Sequence, residues 1–101
     1  MPAPQIIQSK GQWRLMLDDA RRRTDEMLAF DPDRDMLKII RAQLDFMDRC
    51  TKGGRNPTEE EAERITLGAI AVRNLEEEDP EYADWLKELA YAFRKTWKTL
   101  P

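Results

Sequence analysis

Cys50 is the only thiol in a chain of 101 residues that contains no histidine. Those two facts decide most of the chemistry open to it. A nucleophilic cysteine needs a base beside it or an electropositive helix start to hold the thiolate. Cys50 has no histidine to activate it and falls at the end of an expected helix, so it reads as a small buried hydrophobe. Zinc sites of the Cys/His kind are excluded by the same residues, and general acid–base work loses its commonest carrier. The run Asp31-Pro32-Asp33-Arg34-Asp35 opens like a calcium loop. The likeness fails where glycine and glutamate are required, because Met36 and Ala42 stand there. Capping and helix-dipole complementarity account for these acids. Lys52-Gly53-Gly54-Arg55 resembles a phosphate-cradling nest. Without a preceding strand or a following Gly-Lys-Ser/Thr it reads as an interhelical turn. No carboxylate pair has an apolar setting that would raise its pKa. The expectation is a chain with no catalytic residues, no metal, no cofactor and no small-molecule substrate.

What remains is surface for a partner. Arg21-Arg22-Arg23 is the one concentrated basic patch, but three consecutive helical residues fan around the axis rather than lining one face. They are expected to pair with Asp18, Asp19, Asp25 and Glu26 of their own helix. A helical nucleic-acid-binding antitoxin or regulator using Arg21–Arg23 is the alternative reading. The overall charge of −3 argues against it, since a nucleic-acid footprint needs a basic excess. At the other end of the charge scale, Glu76, Glu77, Glu78 and Asp79 form an acidic corner, the first candidate for contact with a basic partner surface. The outer side of the second helix around Gln43 is the second candidate.

The elements that position these residues are helical. Charged residues make up 37% of the chain and hydrophobic ones 41%, a balance suited to amphipathic helices with solvated outer faces. Residues 1–9 read as a loose arm because Pro2 and Pro4 discourage helix, and residues 10–101 as one helical domain. A first helix over about 11–30 has Trp13, Met16, Leu17, Ala20, Met27 and Leu28 at helical spacing. The second, about 32–50, starts at the Asp31-Pro32 cap and carries Met36, Leu37, Ile40, Leu44 and Met47, flanked by Ile39, Phe46 and Cys50. Gly53 and Gly54 supply positive φ after it. Asn56-Pro57 then offers one cap, and Thr58 with Glu61 offers a capping box instead. The third helix, about 58–75, has a core face of Ala62, Ile65, Ala69 and Val72, with Leu67 and Ile70 on another side. Gly68 within it suggests a close helix crossing, since a helical glycine costs about 1 kcal/mol relative to alanine. Asp79-Pro80 caps a fourth helix with Tyr82, Trp85, Leu86, Leu89, Phe93 and Trp97 inward. The fold expected is an all-α bundle of four helices, mostly antiparallel, with short loops. One cysteine fits a reducing compartment, the opening residues carry no signal-peptide run, and no stretch approaches the roughly 20 apolar residues of a membrane span. A cytoplasmic location without membrane contact is expected.

The stretch from Thr66 to Val72, followed by Arg73, Leu75, Glu76 to Glu78 and Asp79-Pro80-Glu81, resembles a segment of the small helical immunity proteins of interbacterial type VI secretion. The family concerned neutralises NAD(P)+ glycohydrolase effectors. The likeness runs over roughly residues 64–91 and extends, through helix count and the position of Gln43, over residues 13–50. The arm before Gln12 and the Trp-rich C-terminal segment have no counterpart in that pattern. The resemblance implies a cytoplasmic, non-enzymatic inhibitor that binds the C-terminal toxin domain of an effector and covers its active site.

Overall fold

Ser9 opens the first helix by accepting a hydrogen bond from the Gln12 amide at 3.1 Å, and α1 runs from Lys10 to Phe30. The computed structural model describes residues 7–101. The greater part of the expected arm, residues 1–6, lies outside the described residues. Of the rest, Ile7 is buried and the Gln8 amide is bonded to the Gln12 side chain. α1 turns Trp13, Met16, Leu17, Ala20 and Thr24 into the core, while Met27 and Leu28 pack at its edge.

α2 spans Asp35–Cys50, starting three residues after the expected cap. Asp31 and Pro32 form the turn instead: the Asp31 amide closes α1 on the Met27 carbonyl, and the Arg34 amide bonds back to Asp31. Arg34 stands at the N-cap with no side-chain cap. Leu37, Ile40, Leu44, Met47 and Cys50 are buried, and Met36 and Phe46 are partly so. Ile39, expected to widen the apolar face, is exposed. Gly53 and Gly54 have φ of 68° and 82°, the left-handed conformation that ends the helix and turns the chain.

The third helix is broken. Thr58 and Glu61 form a full capping box for α3, Glu59–Glu63, so the second of the two possible caps is used. The chain leaves helical geometry at Arg64–Thr66 and re-enters it as α4, Leu67–Asn74. Adjacent β-branched Ile65 and Thr66 favour the break, and Gln43 of α2 holds it by accepting from the Thr66 amide at 2.8 Å. The interruption resets the helical phase. Ile65, Leu67, Ala71 and Leu75 are buried while Ala69 and Val72 face outward, the reverse of the expected pattern for Leu67, Ala69 and Val72. Gly68 marks no close crossing either: a Cβ placed on it would meet no atom within 4 Å.

Asp79 caps α5, Pro80–Tyr91, accepting from the Tyr82 amide at 3.2 Å with Pro80 in the first turn. Past Tyr91 the helix widens into a π turn, Ala92–Thr96, and closes with a 3-10 turn, Trp97–Thr99. The wider turn keeps Phe93 and Trp97, four residues apart, on one inward face. Both pack on Trp13, with ring centroids at 6.3 Å and 4.9 Å respectively. With α3 and α4 counted as one broken element, the described residues form an all-α bundle of four helical elements. The main packing pairs are α1 with α2, α4 with α5, and α1 with α5. The short turns make α1 with α2, and α4 with α5, hairpins of packed sequence neighbours.

Candidate functional site

The acidic corner lies in the turn between α4 and α5, and most of it is already occupied. Both carboxylate oxygens of Glu78 accept from the Arg34 guanidinium, at 2.7 and 2.9 Å. This bidentate bond, whose geometry suits arginine and carboxylate, ties the corner to the start of α2 and holds the Glu78 carboxyl below its ordinary pKa. Glu76 accepts from Lys87 of α5. Asp79 caps α5 with one oxygen and receives Arg23 of α1 on the other at 2.8 Å. Glu77 alone of the four has no bonded partner among the described residues, and it is exposed. The Glu77 side chain is thus not committed to an ion pair within the chain, while Glu76 and Glu78 are. Their partners lie on other helices, beyond the reach of a reading of local charge.

Gln43 is likewise engaged. Its side chain accepts from the Thr66 amide, which has no helical acceptor at the break, and donates to the Thr66 hydroxyl at 2.7 Å. The corner and Gln43 are therefore separate features rather than one assembled patch.

The arginine triplet is dispersed by the fold. Arg21 reaches Asp45 and Asp48 of α2. Arg23 bridges Asp79 and Glu81 while lying 4.8 Å from the Trp85 ring centroid. Only Arg22 pairs within its own helix, with Asp19. Two of the three are thus cross-braces between helices, and the triplet offers no free basic face to a nucleic-acid backbone.

Cys50 is buried, and burial pushes its thiol pKa up, the opposite of activation. No cluster of three or more His, Cys, Asp or Glu side chains suited to a metal occurs among the described residues. No helix among them is long and apolar enough to cross a membrane.

A feature that periodicity did not reveal lies at the opposite end of the α4–α5 pair. One hollow, with a cavity volume of about 380 Å³, is lined by α3 and the π turn, including Pro57, Ala62, Phe93 and Trp97. A second of about the same volume lies beside it against Gly68, Ala69, Ala90 and Tyr91. They share Glu63, Arg94 and Lys95 as common wall. The groove lies along the break between α3 and α4, with residues of both helices in its walls.

Compared with known proteins, the chain matches the family model described as Tsi6 over residues 13–95, from the first turn of α1 into the π turn. No curated protein and no solved structure matches it.

Proposed function

Because the chain belongs to the Tsi6 family, a family of immunity proteins of type VI secretion, we propose that it binds and inhibits the C-terminal NAD(P)+ glycohydrolase domain of a cognate effector. The family match over residues 13–95 carries this reading. Inhibition is by occlusion: the bundle sits over the toxin's active site in the producing cell's cytoplasm and keeps NAD(P)+ out. No catalysis by the chain itself is required. A helical scaffold cross-braced by arginines suits that work, since a preorganised surface loses little conformational freedom on binding. The acidic corner contributes through Glu77 and the solvent-facing edges of Glu76, Glu78 and Asp79, steering association with a basic surface. The outer side of α2 around Gln43 is the second contact proposed for the toxin.

The test is direct. The toxin domain encoded beside this gene is expressed with and without the chain, and cell survival and NAD+ content are followed. The expected outcome is survival with NAD+ preserved, matched in vitro by loss of NAD+ cleavage at one-to-one stoichiometry. The Glu77→Lys variant should associate several-fold more slowly at low salt, with unchanged melting. Full NAD+ cleavage by the toxin in the presence of saturating wild-type protein would end the proposal.

A further inference from the structure

The groove beside Gly68 gathers three cations that hold no carboxylate, as Arg49, Arg64 and Arg73 do singly elsewhere among the described residues, while Lys87 on its wall is held by Glu76 and Asp84. Arg14, Arg21, Arg23, Arg34, Arg41 and Arg55 all hold carboxylates of the same chain. Arg94, Lys95 and Lys98 hold none among the described residues, and all three are exposed along the two hollows. Trp97, only 4% exposed, lines the first hollow, and its Nε1–H has no acceptor. A buried indole donor left unbonded costs stability unless an acceptor arrives. The second hollow has an apolar part with room in it, between charged walls that include Glu63, Lys87, Arg94 and Lys95: a Cβ on Gly68 would touch nothing, Ala69 faces outward, and Tyr91 is 60% exposed.

We propose that this groove receives an acidic amphipathic segment of the toxin domain, with its carboxylates along Arg94, Lys95 and Lys98 and its apolar side chains over Gly68, Ala69 and Tyr91. The inference rests on the toxin-binding reading and adds a contact of opposite charge, at the far end of the α4–α5 pair from the acidic corner. Glu59 and Glu63 on the α3 wall set the orientation, because an acidic occupant must place its carboxylates on the side of the π and 3-10 turns.

The test uses the full chain and the toxin domain encoded beside it. Arg94 and Lys95 are changed together to Glu, and Gly68→Leu is made separately to fill the groove without a backbone clash. Melting of both should stay near wild type. The double variant should associate about tenfold more slowly at low salt, with the difference shrinking as salt rises. Gly68→Leu should dissociate about tenfold faster, as blocking an apolar pocket acts on the off-rate. Wild-type binding with both variants within about twofold of it would overturn the groove and leave the toxin reading standing. Failure of the wild type itself to bind would remove both. A wild-type dimer that either variant dissociates would assign the groove to a second copy and overturn the proposal.

Discussion

Thr24 and Tyr82 lie far apart in sequence and meet in the core with their oxygens 2.6 Å apart. Thr24 donates its hydroxyl proton to the Ala20 carbonyl at 2.7 Å, so Tyr82 must be the donor to Thr24. Thr24→Val should strand the buried phenol and destabilise the fold by about 1–3 kcal/mol, whereas Tyr82→Phe removes the donor and should cost about 1 kcal/mol. Denaturant melts of the two variants check that order. Glu61 is the second informative residue. Its hydrogen bonds from Arg55, and then from the Thr58 amide, lower its pKa from 4.5 to about 2. A depressed folded-state pKa gives stability that is complete above the unfolded value and lost as pH falls towards the folded one. Melting temperature should therefore fall between about pH 4.5 and 2, and Glu61→Gln should flatten that part of the profile. The Glu61 capping box was legible in the sequence as local spacing. The Thr24–Tyr82 and Arg34–Glu78 pairs were not, because no periodicity links residues so distant in the chain.

At the scale of elements, the break at Arg64–Thr66 has the widest effect. It turns Val72 and Ala69 outward, and the groove lies beside it. Gln43 holds the break, so Gln43→Ala should cost about 1 kcal/mol and raise amide exchange at Thr66. Gly68→Ala should be neutral or stabilise by up to about 1 kcal/mol, because helix propensity improves and the added methyl meets open space. Thermal melts separate the two, and a large loss for Gly68→Ala would contradict the open groove. Helix existence was legible throughout, from apolar spacing and from capping residues such as Asp79-Pro80. The break was hidden because its holder sits on α2, and with it went the phase of the third helix. The π turn was hidden for a gentler reason: Leu89, Phe93 and Trp97 keep a helical spacing in sequence whichever turn width carries them.

At the scale of the molecule, the all-α class followed from composition and periodicity, since no segment alternates as a strand would. The family followed from one contiguous segment, Thr66 to Glu81, and the match extends over residues 13–95. The functional surface was the least legible part. A run of acids looks available for a partner until the fold supplies its counterions, and here it supplies Arg34, Lys87 and Arg23. Conversely, Arg94 and Lys95 look like ordinary helix-end cations until the fold leaves them unmatched beside a groove. Surface charge in a helical bundle is thus read better from what remains unneutralised after folding than from clusters along the chain.

The packing of α1 on α5 has a kinetic consequence. α1 with α2, and α4 with α5, are hairpins of sequence neighbours, and closing such short loops loses little entropy. Joining α1 to α5 spans most of the chain, through the Trp13 indole bonded to the Leu89 carbonyl at 3.2 Å and through Thr24 with Tyr82. Local contacts form early and the distant seam forms last. The Thr24→Val variant should accordingly unfold faster while refolding at nearly the wild-type rate, which the two limbs of its chevron plot measure. A molecule pulled apart under stress would open along that seam first, as two hairpins that remain helical after they separate.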